Sequence, residues 1–390
     1  MPLAPSALQP LLRLALVPGV GPGRMAALVR YFGSAERVLS AAAPAVAALP
    51  GFGAELVRRI QRARGAEAEA RLERALEAMQ RVGAVALSPA DLEYPDAFRR
   101  LPDPPFLLFA SGSLTLLAQP ALAIVGTRQP TAYGRGVAAA LSRELVGAGY
   151  GIVSGMARGI DAVAHAAALD AGGATVGVLG HGIEQVYPAE NRRLFERVRA
   201  EGLLLSEFPP GEQPVAGNFP RRNRLIAALG EAVIVVEMSR KSGAQHTVTF
   251  ALEQGRDVFA VPGPITSPAS EGTNQLIQDG ARLITSAADV LDELRGVARA
   301  RDVAVPAAGR PAPRAPELPL TADAPADLAP EEARVYGALA LEPRHVDELA
   351  AAAELPTGTV LAALLGLELR GLVEALPGTQ FRLVRSPWGG

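Results

Sequence analysis

From Ala121 the chain reads ALAIVG to Gly126, and the theme returns as YGIVSG from Tyr150 to Gly155, ATVGVLG from Ala174 to Gly180 and AVIVVEM from Ala232 to Met238. Each is a short apolar run. Each is separated from the next by a span that holds a helix of about ten to fifteen residues. That alternation is the pattern of a parallel sheet covered on both faces by helices. With Leu203–Phe208, Asp257–Gly263 and Arg282–Ser286 added, the strands extend from Ala121 to the neighbourhood of Gly296. An α/β core is therefore expected over 86–296, its crossovers right-handed. Ligands of such sheets bind beyond the carboxyl ends of the strands, where each gives way to a loop and a helix start.

On the N-terminal side, residues 1–85 carry a helical pattern without strand alternation. Pro18-Gly19-Val20-Gly21 and Pro50-Gly51-Phe52-Gly53 each precede an amphipathic run. Gly-hydrophobic-Gly between helices makes the tight turn of a helix-hairpin-helix, which either presents N–H groups to a phosphate or serves as a small packing module. On the C-terminal side, 297–330 is rich in Pro, Ala and Arg and reads as a linker. Beyond it, Glu331–Leu339, Val346–Ala352 and Thr357–Leu369 read as helices, and Leu372–Leu376 with Gln380–Val384 as a hairpin, the order of a winged helix over 331–385. Its third helix offers Thr357, Thr359 and Arg370 but little other cation, which favours protein contact or weak duplex contact over a strong grip.

Composition narrows the chemistry. There are 390 residues, no cysteine, and 38 Lys+Arg against 40 Asp+Glu. Disulfides, thiol nucleophiles and cysteine-bound zinc are excluded, and a reducing cytoplasm is expected. His165, His181, His246 and His345 are scattered without an HExxH spacing, so no metal site is expected. A formal charge of -2 excludes a uniformly basic surface, so any polyanion site must be local. No run is long and apolar enough to span a bilayer, and no membrane association is expected. Lys241 is the sole lysine, and every other cation of the 38 is arginine. A compact ammonium kept in so arginine-biased a chain either marks its loop, because the two groups are not interchangeable, or survives by chance on a solvated loop.

The strand-end loops carry the candidates. Gly126-Thr127-Arg128 precedes Tyr133-Gly134-Arg135-Gly136, setting a hydroxyl and a guanidinium beside a helix start, where phosphate is the expected guest. Ser154-Gly155-Met156-Ala157-Arg158-Gly159 leads to Asp161, which either caps the next helix or ties down Arg158. Gly180-His181-Gly182 is followed by Tyr187-Pro188-Ala189-Glu190-Asn191-Arg192, where Asn191 is a phosphate or ribose contact. The densest feature is Asn218-Phe219-Pro220-Arg221-Arg222-Asn223-Arg224 with Ser239-Arg240-Lys241-Ser242-Gly243. Five cations stand there against Glu231 and Glu237. They either hold a polyanion or form internal ion pairs. Phe219 and Tyr133 are candidate base-stacking rings. No GxxxxGK[ST] loop is present, Gly177 to Gly182 reverses the GxGxxG spacing, and no Ser-His-Asp elbow is found. The loops supply binding groups without a nucleophile or a base.

Together, Gly126-Thr127-Arg128, SGMARGID from Ser154, YPAEN from Tyr187, FPRRNRLIA from Phe219, the KSG of Lys241-Ser242-Gly243 and FAVPG from Phe259 resemble the DNA-processing protein A (DprA/Smf) family. The resemblance covers most of the chain. It implies a helix-hairpin-helix (SAM-like) N-terminal domain, an extended Rossmann-like core and a C-terminal winged helix. It further implies a homodimeric binder of single-stranded DNA with little sequence preference, which loads RecA onto strands covered by single-strand binding protein during natural transformation. Neither catalysis nor a cofactor is implied. Carried onto this chain, the DNA-holding positions are Thr127, Arg128, Ser154, Gly155, Met156, Arg158, Gly159, Asn191, Arg192, Phe219, Arg222, Asn223, Arg224, Lys241, Ser242 and Gly243. Two departures stand out: Thr127 where the family commonly has serine, and Ala244-Gln245-His246-Thr247 after the KSG.

Two other functional classes compete. The related Rossmann-like phosphoribohydrolases of the LOG type cleave nucleoside monophosphates, but their PGGxGTxxE loop is replaced here by KSGAQHT. An adaptor whose winged helix and hairpins bind proteins is the third.

Overall fold

The computed structural model describes residues 3–304, 328–339, 344–370, 372–376 and 379–383. These fall in two units, 1–305 and 306–390. The first opens with six helices, α1 (Pro5–Ala15), α2 (Pro22–Phe32), α3 (Ala35–Ser40), α4 (Ala43–Ala47), α5 (Ala54–Arg62) and α6 (Ala66–Arg81). Gly19 and Gly51 occupy equivalent turns, at φ 94° and 81°, a region L side chains rarely enter. These turns let α2 and α5 fold back over a shared core of Leu28, Val38, Val46 and Ile60.

A nine-stranded sheet follows. Its strands are β1 (Val85–Leu87), β2 (Leu108–Gly112), β3 (Ala121–Val125), β4 (Gly151–Ser154), β5 (Thr175–Leu179), β6 (Leu203–Ser206), β7 (Ala232–Val235), β8 (Asp257–Ala260) and β9 (Arg282–Leu283). Their order is β1-β2-β6-β5-β4-β3-β7-β8-β9. From β6 across to β9 neighbours pair in parallel, with Ala123 opposite both Val153 and Val233. β2 joins β6 antiparallel, and β1 joins β2. The chain winds outward from β3 in one direction, then returns beside β3 as β7 and winds the other way. The switch point of this doubly wound sheet thus lies between the ends of β3 and β7.

The seven strands expected after Ala121 all form. β1 and β2 were not anticipated: β1 is too short to show a period, and β2 is buried without alternation. The helices α7 (Asp96–Arg99), α8 (Ala132–Gly147), α9 (Ile160–Asp170), α10 (Arg192–Glu201), α11 (Asn218–Leu229), α12 (Ala244–Glu253), α13 (Glu271–Gln278) and α14 (Ala287–Ala304) complete the unit. Strand alternation divides the core. Leu122, Ile124 and Ile152 pack with Leu141, Leu145, Ile160 and Val290 of α8, α9 and α14. Ala123, Val125 and Val153 pack with Leu225, Ile226 and Val248 of α11 and α12. At about 1.5–3 kcal/mol per large aliphatic side chain buried, these two layers fix where the strand-end loops emerge. α14 continues to Ala304, into the stretch read as linker; 305–327 lies outside the described residues.

The second unit holds α15 (Pro330–Ala338), β10 (Arg344–His345), α16 (Val346–Ala353), α17 (Thr357–Leu369), β11 (Val373–Leu376) and β12 (Gln380–Leu383), with sheet order β10-β12-β11. Val335, Leu349, Val360, Leu364 and Leu367 form its core. This is the expected winged-helix order; Val384, placed in the hairpin, lies outside the described residues. Among the described residues no single helix is long and apolar enough to cross a membrane.

Candidate nucleic-acid interface

The loop after β3 is held from below. Thr127 N donates to Glu237 O at 2.7 Å, just beyond β7, and Ile160 N donates to Thr127 O at 3.2 Å. The Glu237 carboxylate, 1 % exposed, accepts from Thr131 N (2.8 Å) and Thr131 Oγ1 (2.5 Å). Thr131 Oγ1 in turn caps α8 by accepting from Gly134 N. A buried charge this close to a helix N-terminus is stabilised by hydrogen bonds and dipole together. The consequence is a fixed loop whose Arg128 projects outward. Its guanidinium carbon lies 5.9 Å from the Phe219 ring, and it has no ion-pair partner among the described residues.

The loop after β4 is fastened from within. Ser154 Oγ donates to Ile124 O at 2.6 Å, and both Gly155 N (3.1 Å) and Ala157 N (3.3 Å) donate to Asp161 Oδ2. Asp161 therefore neither caps α9, whose N-cap is Gly159, nor restrains Arg158, which pairs with Glu190. The Gly155 and Ala157 amides are thus turned inward, away from any ligand at the strand ends. Asn191 Nδ2 donates to the carbonyls of Met156 and Ala157, each at 3.1 Å, so it braces the loop as well. Ser154 and Met156 are buried. Gly155 tolerates no side chain: a Cβ there would stand 2.7 Å from Arg222 Nη2 and 2.8 Å from Asp161 Oδ2.

Arg222 corrects the sequence reading most sharply. Only 4 % exposed, it donates through Nη1 to Gly155 O (2.8 Å) and to Val178 O, and through Nε to Asn223 Oδ1 (3.1 Å). Burial lowers its pKa to about 10, partly offset by Asp161; the same burial pushes the Asp161 carboxyl upward against the pull of Arg222. Arg222 is a strut joining the ends of β4 and β5 to α11. Arg224 departs further. Its Nη2 donates to the buried Glu207 at 2.6 Å, on the other side of α11 from the loops just described. Arg221 joins the same carboxylate at 3.1 Å. The alternative of internal ion pairs thus holds for part of the cationic cluster.

What remains is a cavity of about 800 Å³ at the switch point. Thr127, Arg128, Arg158, Phe219, Asn223, Ser242 and Gly243 line it, with the edge of Arg222. Gly159 sits at its margin, at φ 81°, and Lys241 is exposed on the loop that supplies Ser242 and Gly243. Arg192 is exposed at the start of α10 and does not line the cavity. One lining ring was not anticipated as a stacker: Tyr187, exposed, lies on Phe219 with centroids 5.5 Å apart and planes at 27°. The YP pair was visible in sequence, but nothing local shows that Tyr187 meets a ring on α11. Tyr133, expected to stack bases, instead donates its hydroxyl to Pro262 O at 2.8 Å and lies outside the cavity. Open cations, small residues and a stacked aromatic pair are the groups that hold phosphates and bases.

Comparison with known proteins agrees with this architecture. The profile of the family described as DNA recombination-mediator protein A matches residues 86–295, the DprA winged helix domain matches 319–379, and a SAM-like helix-hairpin-helix tandem matches 11–65. Protein Smf of Synechocystis is 37% identical over 387 residues, covering 94% of this chain and 96% of its own. The X-ray structure of DNA processing protein A from Streptococcus pneumoniae superposes with TM-score 0.63 at 35% identity, over 75% of this chain and 99% of that one. The Helicobacter pylori protein of the same name, whose structure concerns its single-stranded DNA binding mode, gives TM-score 0.50 at 33% identity over 55% and 96%. With the conserved-length match to Smf and the profile spanning the whole sheet, the chain belongs to the DNA recombination-mediator protein A family.

Proposed function

We propose that this chain binds single-stranded DNA across the cavity at the β3/β7 switch point, with little sequence preference and without altering it. The observation that carries this reading is the exposed Arg128, set over the Phe219 ring of the Tyr187–Phe219 stack in an open cavity. Arg128, Lys241 and, on release from Glu190, Arg158 hold phosphates; Thr127, Asn223, Ser242 and Gly243 shape the wall. The nearby carboxylates, Asp161 and Glu237, are spent on loop amides and a hydroxyl, which favours binding over nucleotide cleavage. The Helicobacter pylori relative, described as binding single-stranded DNA, supports the same reading. The family resemblance extends the proposal: a homodimer loads RecA onto strands shared with single-strand binding protein and protects incoming DNA in transformation.

Filter binding tests it. The double variant Arg128→Ala/Lys241→Ala should lose several kcal/mol of affinity, at about 1.5–3 kcal/mol for each charge-assisted contact. In the unsubstituted protein log K should fall by about 0.7 per phosphate contacted on a log-salt axis. Unchanged affinity in the double variant removes the reading, and release of adenine from AMP would replace it with the hydrolase.

A further inference from the structure

Resting on that reading, we infer that the bound strand continues past α11 into a second cleft, of about 700 Å³, between the α1–α2 turn and α6, where arginines of α6 hold its backbone.

The first turns of α11 divide the carboxyl edge of the sheet. Phe219, Arg222 and Asn223 face the switch-point cavity, while Asn218 and Arg221 face the cleft. Helix spacing of three and four residues produces this division. The segment before α11 is likewise shared, with Gly211 and Glu212 on the cleft side and Pro214 and Ala216 on the cavity side. The two recesses are neighbours on one edge, separated by a single helix end.

Charge is sorted on α6. Arg71, Arg74 and Arg81 lie on one stripe and line the cleft, with Ala75 and Ala78 between them, too small to cover them. The acidic residues of the same helix, Glu67, Glu69, Glu73 and Glu77, do not line it. None of the three arginines has an ion-pair partner among the described residues, and the Arg71 Nε is buried and unbonded. The cleft also holds Glu184, Glu207 and Glu212, each bonded through one carboxylate oxygen, while Glu184 Oε2 and Glu207 Oε1 are buried and unbonded. Glu207 is shared by Arg221 and Arg224, Glu184 accepts from Gly211 N at 2.9 Å, and Glu212 accepts from Asn218 Nδ2 at 3.2 Å. The cleft cations without an ion pair among the described residues, Arg71, Arg74 and Arg81, thus stand together on α6, facing Glu184 and Glu212, which are hydrogen-bonded but not ion-paired. Phe106, half-buried in the lining, offers a ring to a base. A chain with more acids than bases that leaves three guanidiniums without an ion pair on one helix stripe, two of them exposed, beside a polynucleotide site, extends that site.

The test uses the full chain and two oligothymidylates, one of about 6 nucleotides, which the cavity alone can hold, and one of about 25, which reaches beyond it. Arg71→Ala/Arg74→Ala/Arg81→Ala should weaken the long oligomer about tenfold or more and lower its salt slope by about 2, leaving the short one unchanged. Because Arg71 is partly buried, Arg74→Ala/Arg81→Ala is measured in parallel, with unfolding checked by circular dichroism, and should show the same pattern in smaller degree. Equal affinity for the long oligomer in both variants overturns the inference, and so does an equal loss on both lengths. Arg128→Ala/Lys241→Ala separates the two proposals: if it leaves the short oligomer's affinity intact, the switch-point reading fails by itself.

Discussion

A guanidinium and an imidazole are both buried beneath the sheet edge at a cost, Arg222 to brace the loop after β4 and His165 to tie α9 to β5. Arg222 reaches the carbonyls of Gly155 and Val178 from the far side of the sheet edge. His165, fully buried, meets Thr175 Oγ1 at 2.7 Å, and because that hydroxyl donates to Ile152 O, the ring must donate through Nδ1. Burial first, and Arg222 second, lower its pKa to about 3. The sign follows: between the unfolded value near 6.5 and about 3 the unfolded chain takes up a proton that the folded one refuses. Stability from this residue is complete above pH 6.5 and is lost as pH falls, by about 2 kcal/mol at pH 5. Urea unfolding at pH 7.5 and pH 5 checks it. His165→Gln should lower stability at both but remove that part of the pH dependence, while an unchanged slope would show that other groups carry it.

At the level of the element, α11 shows what can and cannot be seen in a string of residues. The run FPRRNR reads as one basic patch, yet on a helix it splits into a ring facing the cavity, a strut pointing under the loops, and two arginines turned to Glu207. Side-chain direction is set by where the helix sits on the sheet, information that is not local. Arg224→Ala should therefore leave DNA affinity in filter binding unchanged while costing about 3 kcal/mol in urea unfolding, because it deprives a buried carboxylate of its closest partner. Loss of affinity without loss of stability would return Arg224 to the DNA site. The strands after Ala121 were legible because each is an uninterrupted apolar run. β1 was not, having three residues, and neither was the meeting of Tyr187 with Phe219, whose partners lie on separate elements. Arg128 was legible because a strand end followed by small residues and a helix start leaves a cation nowhere to go but outward.

For the whole molecule, the question is which part is sufficient to hold a strand. Every residue of the switch-point cavity comes from unit 1–305, and its walls are built from the end of β3, the loops after it, α9, α11 and α12. The winged-helix unit has its own core of Val335, Leu349, Val360 and Leu364. Its α17 exposes Leu361 and Leu365, side chains that grip no phosphate. Ending the chain after Ala304 keeps α14, whose Val290 packs with the sheet, and removes only residues outside the first core. The shortened protein is expected to bind an oligothymidylate with the affinity and the salt slope of the full chain, because counterion release depends on the cations that touch phosphate and none of these is removed. Fluorescence anisotropy at two salt concentrations decides it. Equal slopes with equal affinity place the strand on the first unit. A slope that drops by about 0.7 for each lost contact would put phosphates on the winged helix, and complete loss of binding would favour the adaptor over the strand-holding cavity.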